Sequence, residues 1–378
     1  MTDLPPLGLY VHWPYCARIC PYCDFNVALD RRPGESAALA QAIRDDLRAQ
    51  AALIGPRKLV SIFFGGGTPS LMDPAWIGAI IEDAKAIWPF EENLEITLET
   101  NPTDAESGLF RAFFDSGVIR LSLGIQALDD PSLVFLGRNH GADEARRAAG
   151  MAGLIFPRLS LDLIYARPGQ TERGWTEELK AALDLGAEHI SPYQLTIEAG
   201  TPFDLAVRRG AFAPADPDLA ANLYETTQTV LGGAGLSAYE VSNHALGPAA
   251  RSRHNLVYWR GEDYLGVGPG AHGRLTTAEG RIATETARAI PAYIARVRDI
   301  GIGLEVSQRL NPIEAAEERL LLGLRVDEGV PLIDLTALTL ERLEDLRSGG
   351  FVELRDGRII ATAVGRPVLD RVIAELIV

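Results

Sequence analysis

The three cysteines of the chain lie within eight residues, as Cys16-Ala-Arg-Ile-Cys20-Pro-Tyr-Cys23, and the sequence contains no fourth. Because two would pair and one would be left over, this odd cluster does not indicate a disulfide framework. Thiolates bind iron–sulfur clusters and zinc, and structural sites of either kind normally take four protein ligands. Three thiolates on one loop therefore predict an iron–sulfur cluster with one iron left open to an exchangeable ligand.

A zinc site is the main alternative, since His12 lies four residues before Cys16 and could supply a fourth ligand. Structural zinc sites usually consist of two separated ligand pairs, and this sequence has no second pair downstream. Buried thiols without any ligand are a third interpretation, which the Pro, Arg and Tyr residues of the loop disfavour. The spacing favours the cluster and leaves zinc open.

Six β/α units are predicted in the first 235 residues, and they would position the cysteine loop. Mostly continuous apolar strands alternating with helices indicate a parallel sheet covered by helices, and slightly favour a partial barrel over a doubly wound sheet. Asp73, Asp104 and Thr171 are typical residues for helix starts. The predicted strands are Leu7–His12, Val60–Phe64, Leu94–Glu99, Val118–Gly124, Leu159–Tyr165 and His189–Leu195, and the predicted helices are 35–53, 74–88, 104–116, 141–153, 171–185 and 216–233.

A polar or glycine group follows or ends every one of these strands. In parallel β/α barrels the site is built at the carboxyl ends of the strands, so six such groups predict one shared mouth. After the first strand, which precedes the cysteine loop, these groups are Gly65-Gly66-Gly67-Thr68, Glu99-Thr-Asn101-Pro102, Gly124-Ile-Gln126, Asp162 with Tyr165, and Tyr193-Gln194.

The triple glycine lets the backbone approach a ligand closely. No Gly-Lys-Ser/Thr follows it, so a phosphate loop is not indicated, and a small polar ligand fits better. Glu99 at the next strand end could accept a hydrogen bond from a ribose hydroxyl or pair with an ammonium group.

Two further regions are predicted after the barrel of residues 1–235. Residues 236–300 are interpreted as a loop-rich extension that packs on the barrel and contains His254-Asn255-Leu-Val-Tyr258-Trp259, with a helix near 287–299. Residues 301–378 resemble a winged helix, because helices precede a hairpin with an Asp-Gly turn. Its predicted elements are helices 312–324, 331–337, 339–348 and 363–376, and hairpin strands Phe351–Leu354 and Arg358–Ala361.

The composition is that of an ordinary globular protein, with 47% apolar and 23% charged residues. The net charge of −15 disfavours a nucleic-acid partner, which normally requires a basic surface. The start of the chain has no basic segment, and no run of 18 apolar residues follows. We therefore expect a soluble, cytoplasmic protein, with peripheral membrane association only through a partner.

Several motifs resemble the radical S-adenosylmethionine (SAM) superfamily and, within it, the oxygen-independent coproporphyrinogen III oxidase-like family. The resemblance covers nearly the whole chain and implies an α/β fold, a partial (β/α)6 barrel with a C-terminal winged-helix-like domain. The motifs are Tyr10-Val-His12-Trp-Pro-x-Cys16, Cys20-Pro-Tyr22-Cys23-Asp24-Phe25, Gly65-Gly66-Gly67-Thr68-Pro69, Gly124-Ile-Gln126, Leu136-Gly-Arg138, Asp162-Leu-Ile-Tyr165, Tyr193-Gln-Leu-x-x-Glu198-x-Gly-Thr201 and His254-Asn-Leu-Val-Tyr258-Trp259.

The resemblance implies roles for individual residues. Cys16, Cys20 and Cys23 would hold a [4Fe–4S] cluster, with SAM at the open iron. Tyr10, Gly66 and Glu99 would contact that SAM, and reductive cleavage would give a 5′-deoxyadenosyl radical. In the oxidase, the positions that contact a second SAM correspond to Tyr22, Gly67, Thr68, Gln126, Arg138 and Asp162 of this chain.

Two departures favour a heme chaperone over the oxidase. Asp24 and Phe25 follow the last cysteine where the oxidase has a further Cys, and the N-terminal extension of the oxidase has no counterpart in the fifteen residues before Cys16. The His254 motif is one that chaperone-type members share. It makes His254 a candidate heme ligand, with Tyr258 and Trp259 stacking on the porphyrin and Arg251 or Arg253 pairing with propionates. The implied partners are heme, SAM, a respiratory heme-acceptor protein and a reductant protein such as flavodoxin or ferredoxin. The alternative function is that of the oxidase, or of a related radical SAM methyltransferase or heme-modifying enzyme.

Overall fold

A computed structural model describes residues 4–29, 32–105, 108–335 and 340–377 of the 378-residue chain. Its strands are β1 Leu7–Trp13, β2 Tyr15–Cys16, β3 Ala28–Leu29, β4 Leu59–Gly66, β5 Phe90–Thr100, β6 Arg120–Gln126, β7 Arg158–Tyr165, β8 His189–Gln194, β9 Ser237–Glu240, β10 Asn243–Ala245, β11 Asp263–Val267, β12 His272–Thr277, β13 Gly280–Thr286, β14 Leu304–Arg309, β15 Val330–Pro331, β16 Val352–Arg355 and β17 Arg358–Ala361. Its α-helices are α1 Glu35–Ile54, α2 Pro74–Ile87, α3 Leu109–Asp115, α4 Asp130–Phe135, α5 Ala142–Ile155, α6 Glu172–Leu183, α7 Pro202–Arg208, α8 Pro217–Gly233, α9 Arg253–Trp259, α10 Ile290–Ile300, α11 Pro312–Gly323, α12 Leu340–Ser348 and α13 Leu369–Leu376.

Six parallel strands form the centre of the molecule, in the order β1-β4-β5-β6-β7-β8. These are the six strands that the sequence predicts, in the predicted order along the chain. They belong to a twelve-stranded sheet that begins with β14 and ends with β9, and no pairing among the described residues closes it into a barrel. The predicted α/β class with a partial barrel is confirmed.

Side chains alternate strictly along the central strands. On β6 the residues Leu121, Leu123 and Ile125 are fully buried against the helices, whereas Arg120 and Ser122 face the opposite side and line a cavity. Successive side chains of a strand point to opposite faces, so the apolar residues on one side hold the helices while the polar residues face inward. The sequence prediction of continuous apolar strands missed this inward polar face.

The helices begin where their capping residues predict, with one exception. The Asp73 side chain accepts a hydrogen bond from Ala75 N at the start of α2, and Thr171 accepts one from Gly174 N at the start of α6. The helix expected from Asp104 instead begins at Leu109, after Gly108 in a left-handed conformation. Residues 106 and 107 of that prediction lie outside the described part of the chain.

Residues 237–309 contain more regular structure than the loop-rich extension that the sequence predicts. β11 pairs parallel with β1, and β12, β13 and β14 continue the sheet in antiparallel order. On the other side, β10 and β9 follow β8. β14 lies after residue 300, so the sheet continues into residues that the sequence assigned to the C-terminal domain.

The C-terminal region has a hydrophobic core of its own, formed by α11, α12, α13 and the hairpin β16–β17. Asp356 and Gly357 have φ values of 52° and 73°, as a two-residue hairpin turn requires. The predicted helix 331–337 is instead the short strand β15 and a 3₁₀ turn at Leu332–Asp334, and residues 336 and 337 lie outside the description. The last helix begins at Leu369 rather than 363.

Candidate functional site

The cysteine loop follows β1 and covers the carboxyl ends of the central strands. Cys16 is buried at the end of β2, whereas Cys20 and Cys23 are half-buried. A turn from Cys20 O to Cys23 N, of 3.2 Å, folds the two later cysteines together. Asn26 holds the end of the loop against residues 269 and 288, because its Nδ2 donates hydrogen bonds to the carbonyls of Pro269 and Arg288 at 2.9 Å each.

Burial raises the pKa of the Cys16 thiol, and it raises that of Cys23 to about 11. As free thiols, Cys16 and Cys23 would therefore hold their protons at neutral pH. A coordinating metal replaces the proton and keeps the sulfur as thiolate, which removes this cost.

The geometry of the donors disfavours zinc. The Nδ1 atom of His12 is hydrogen-bonded to the Tyr10 hydroxyl at 3.0 Å, and its Nε2 to Asn26 O at 2.9 Å, so both ring nitrogens are engaged. Within the described ranges, no three His, Cys, Asp or Glu side chains converge on one point where a single ion could bind. A four-iron cluster binds each thiolate through a different iron, so it does not require the three sulfur atoms to converge on one ion.

The triple glycine at the end of β4 lies directly against the cysteine loop. Gly67 N donates to Trp13 O at 2.7 Å, and Thr68 N donates to Tyr15 O at 2.8 Å. A Cβ atom at Gly67 would lie 2.7 Å from Tyr15 O and 2.9 Å from the Cys16 sulfur, and Gly66 has a φ of 110°. Only glycine allows this approach, which sets the position of the first cysteine.

A cavity of about 540 Å³ opens between the cysteine loop and the ends of β4 to β8. All of the site residues predicted from the sequence line it except Tyr10 and His254. Those that do are Cys16, Cys20, Tyr22, Cys23, Gly66, Gly67, Thr68, Glu99, Gln126, Arg138 and Asp162.

Two carboxyl groups in this cavity hold their protons unusually well. Burial, with the charge of Asp162 as a second cause, raises the pKa of Glu99 to about 8; Gly66 N donates to it at 3.3 Å. Burial also raises the pKa of Asp162 to about 6, although Ser122 Oγ donates to its Oδ2 at 2.9 Å. Its Oδ1 has no partner among the described residues. Such groups are suited to bind hydroxyl, amino or sulfonium groups of a ligand.

Arg138 connects the cysteine loop to the strand ends. Its Nη1 lies 3.4 Å from the Cys20 sulfur, and its Nη2 donates to Asn101 Oδ1 and, at 3.0 Å, to Gly124 O. Gln126, in the left-handed region at φ 62°, has a buried Oε1 without a partner within the described chain, so this amide has an unused acceptor.

His254 does not lie in the cavity, contrary to its prediction as a heme ligand. It is 1% exposed, its Nδ1 is hydrogen-bonded to Ser61 Oγ at 2.9 Å and its Nε2 to the Tyr258 hydroxyl at 2.6 Å. Burial lowers its pKa to about 3, so the ring is neutral. Both ring nitrogens are hydrogen-bonded, and the Phe63 ring stacks on the imidazole at 4.9 Å. His254 therefore packs against β4, through Ser61 and Phe63, outside the cavity.

The neighbours of His254 are engaged elsewhere too. Arg251 pairs with Asp327 at 2.6 Å and Arg253 with Glu91 at 3.0 Å, so both arginines have carboxylate partners. Trp259 contacts the C-terminal region, where the Arg325 guanidinium lies 4.8 Å from its ring. The motif thus connects the cavity floor to the C-terminal region, and Asn255 is its only member that lines the cavity in the described chain.

The sequence prediction missed the polar residues of the floor. His189 is hydrogen-bonded to Ser160 Oγ at 2.7 Å and to the Tyr239 hydroxyl at 2.9 Å, and Arg120 lies beside it. The signal was the alternation Arg120-x-Ser122-x-Gly124-x-Gln126, which places polar groups on one face of a strand. Tyr165, expected at the mouth, instead stacks on Trp175 in the core at 5.4 Å.

Comparison with known proteins agrees with this geometry. The profile of the radical SAM superfamily matches residues 10–182, and that of the HemN C-terminal domain matches residues 310–368. Heme chaperone HemW of Escherichia coli is 36% identical over 342 residues, which cover 90% of this chain and 88% of the relative. Mouse radical S-adenosyl methionine domain-containing protein 1, mitochondrial, is 42% identical over 331 residues, covering 85% of this chain and 74% of the relative.

The solved structure of Escherichia coli coproporphyrinogen III oxidase (HemN), described as a radical SAM enzyme, has the same fold. Its TM-score is 0.81 at 21% identity, over 99% of this chain and 90% of that one. Fold, cysteine loop and family profile together define a radical SAM protein. Within that superfamily, the chain belongs to the HemW type, since it matches HemW relatives over most of their length. No helix among the described residues is long and apolar enough to cross a membrane.

Proposed function

We propose that this protein binds a [4Fe–4S] cluster through Cys16, Cys20 and Cys23, binds SAM at the open iron, and carries heme to an acceptor protein. The observation that carries the proposal is the three-cysteine loop held over the cavity by the glycines at the end of β4. The HemW-type relatives, named heme chaperones, support heme as the cargo.

Each residue has a task in this proposal. Tyr10, Gly66 and Glu99 would contact SAM: the glycine leaves room, and the Glu99 carboxyl holds a proton or accepts a hydrogen bond. Tyr10 does not line the cavity, and its hydroxyl is hydrogen-bonded to His12, so its contact with SAM rests on the family resemblance alone. A second SAM, if bound, would contact Tyr22, Gly67, Thr68, Gln126, Arg138 and Asp162. When bound, cluster and SAM supply one-electron chemistry, and the cavity excludes water and positions the ligands.

We place heme at the mouth of this cavity rather than at His254. Phe25 is 63% exposed at the rim, and Ile19 and Tyr193 are exposed beside it. Exposed aromatic and aliphatic side chains around a concave site are typical of a surface that binds a flat apolar ligand. Heme has an apolar macrocycle and a carboxylate edge, which match the apolar rim and the polar floor.

We further propose a respiratory heme-acceptor protein and a reductant protein such as flavodoxin or ferredoxin as partners, and no nucleic acid, in line with the net charge of −15. We propose that the chain has three parts: a barrel at residues 1–235, an extension that begins at residue 236, and a C-terminal domain. Because β14 joins the large sheet, we move the second boundary from 300 to about 309.

The deciding experiment is an anaerobic hemin titration of cluster-loaded protein, with a parallel assay for coproporphyrinogen decarboxylation in the presence of SAM and reductant. The proposal predicts saturable hemin binding, transfer of bound heme to an apo-acceptor, and no protoporphyrinogen. Protoporphyrinogen formation with turnover would identify the oxidase instead, the alternative to which the shared fold points.

The heme-ligand assignment has its own test. His254→Gln removes hydrogen bonds to Ser61 and Tyr258 inside the protein, and we expect it to lower stability by about 1–3 kcal/mol. The Soret band and the affinity for hemin should stay those of the wild type. Loss of the Soret shift in a folded His254→Gln protein would restore His254 as the ligand.

A further inference from the structure

Arg120 on β6 is a buried cation to which no described residue is hydrogen-bonded or ion-paired. It is among the largest fully buried side chains and lines the cavity floor. Within the described part of the chain it makes no ion pair and no hydrogen bond, and its Nε atom is buried without an acceptor. A guanidinium cannot lose its proton in a protein, so the cost of burying it must be met by another group.

The other buried arginines show what a partnered site looks like here. Arg57 lies 3.8 Å from the Asp263 carboxylate and donates to Thr276 O at 3.0 Å. Arg167 pairs with Glu178 and lies 3.8 Å from Asp129. Both form ion pairs within the protein, whereas Arg120 lines the cavity and forms no ion pair with a described residue.

The groups around Arg120 form no ion pair with it in the described residues. Glu99 retains its proton at neutral pH. The charge of Asp162 interacts with Arg120, but Asp162 accepts a hydrogen bond from Ser122 and none from the Arg120 guanidinium. On the neighbouring strands, Thr97 and Arg158 lie in register with Arg120. Thr97 Oγ1 is also buried without a partner within the described residues, and Arg158 forms an ion pair with Glu95 at 2.6 Å.

We propose that Arg120 binds a carboxylate of the molecule that occupies the cavity. This inference rests on the proposed function, which names two molecules with such a group: heme, through a propionate, and SAM, through its methionine carboxylate. A carboxylate matches the planar guanidinium with two parallel hydrogen bonds. Heme would then bind with its propionate edge toward the floor and its macrocycle against the apolar rim.

The first test compares hemin with hemin dimethyl ester, which has no free carboxylate, on the wild-type protein. Tighter binding of hemin by about tenfold or more would support a buried carboxylate contact to heme. Arg120→Met, which keeps the length of the side chain without its charge, should abolish this preference and leave the affinity for the ester unchanged. Arg120→Lys keeps the charge without the planar fork and should retain part of the preference.

Arg253→Met is the matched control, since Arg253 pairs with Glu91 outside the cavity. It should bind hemin as the wild type does. The second test measures SAM and decarboxylated SAM on the same cluster-loaded variants. If Arg120→Met binds SAM more weakly than the wild type does but binds decarboxylated SAM equally well, Arg120 contacts the SAM carboxylate. This result would also support the proposal, with SAM rather than heme as the ligand.

The proposal is overturned if Arg120→Met, folded by its unfolding transition, keeps the wild-type preference for hemin over its ester and for SAM over decarboxylated SAM. If Arg120→Met does not fold, the wild-type protein decides. The proposal is then overturned if the wild type binds hemin and its dimethyl ester equally well, and SAM and decarboxylated SAM equally well. Failure of the wild type to bind hemin at all would contradict the proposed function, and the SAM comparison would still decide the role of Arg120.

Discussion

The helix-facing and cavity-facing sides of the six parallel strands carry opposite kinds of side chain. On β6, Leu121 and Leu123 pack against helices, while Arg120 and Ser122 face the cavity. Apolar burial on the first side provides the free energy of folding, whereas the second side bears groups whose burial is costly until a ligand satisfies them. Stability and ligand binding are therefore encoded in alternate residues of the same strands, and substitutions should separate them.

The largest effect is expected on the cavity side, at Gly67. Gly67→Ala would place a methyl group 2.7 Å from Tyr15 O and 2.9 Å from the Cys16 sulfur, so the cysteine loop must shift. We expect the affinity for the cluster to fall by about tenfold to a hundredfold. Iron and sulfide content after limiting anaerobic reconstitution measures it.

Gly150→Ala is the matched control, because a methyl group at this position of α5 would point into open space, with no neighbouring atom within 4 Å. It should leave cluster content unchanged and stabilise the protein by about 0.5–1 kcal/mol. Equal cluster content in Gly67→Ala and Gly150→Ala would contradict the role given to the glycine contact.

The next effect belongs to the helix side. Leu121→Ala leaves a void under fully buried packing and should lower the free energy of unfolding by about 2–5 kcal/mol. Its neighbour Ser122→Ala removes only the hydrogen bond to Asp162 and should cost about 1 kcal/mol. Urea unfolding of both variants checks the contrast, and cluster content should be normal in Leu121→Ala. Similar losses of stability in the two variants would break the comparison between the faces.

The last prediction is a pH dependence of stability that comes from Glu99. Its carboxyl has an ordinary pKa of 4.5 in the unfolded chain and about 8 in the folded protein, so the folded state retains the proton between these values. Unfolding then releases a proton from Glu99, so the contribution of Glu99 to the stability of the apo protein should fall as pH rises from about 4.5 to about 8. The difference in unfolding free energy between the wild type and Glu99→Gln isolates this contribution from that of the buried histidines.

Glu99→Gln should remove that decline and leave the smaller one from Asp162, between its ordinary pKa of 3.8 and about 6. Urea unfolding of apo protein across this pH range measures both. If the stability of Glu99→Gln falls above pH 6 as steeply as that of the wild type, a group other than Glu99 titrates there.

The strands of the barrel could be predicted because each combines β-branched and apolar residues with a recognisable strand end. The antiparallel extension could not, because β9, β10 and β11 are short and β12 and β13 carry glycine and threonine rather than apolar residues. Their stability comes from pairing with β1 and β8, which are distant in sequence.

The rim of the candidate site could be predicted from motifs, and its floor could not. Cys16, Gly67 and Glu99 stand at strand ends where sequence patterns are local. The sequence made His254 a heme candidate because aromatic and arginine neighbours suit heme, and only the fold shows that Ser61 and Tyr258 already bond to both ring nitrogens. Arg120 was missed because a charged residue at the start of a strand normally faces solvent.

The central claim is that the three cysteines leave one cluster iron open toward the cavity. Electron paramagnetic resonance of the reduced, reconstituted protein tests it most directly, with spectra recorded before and after addition of SAM. The account predicts an iron–sulfur signal with about four irons per chain that changes on addition of SAM. Bound zinc in place of iron, or a cluster signal that SAM leaves unchanged, would contradict it.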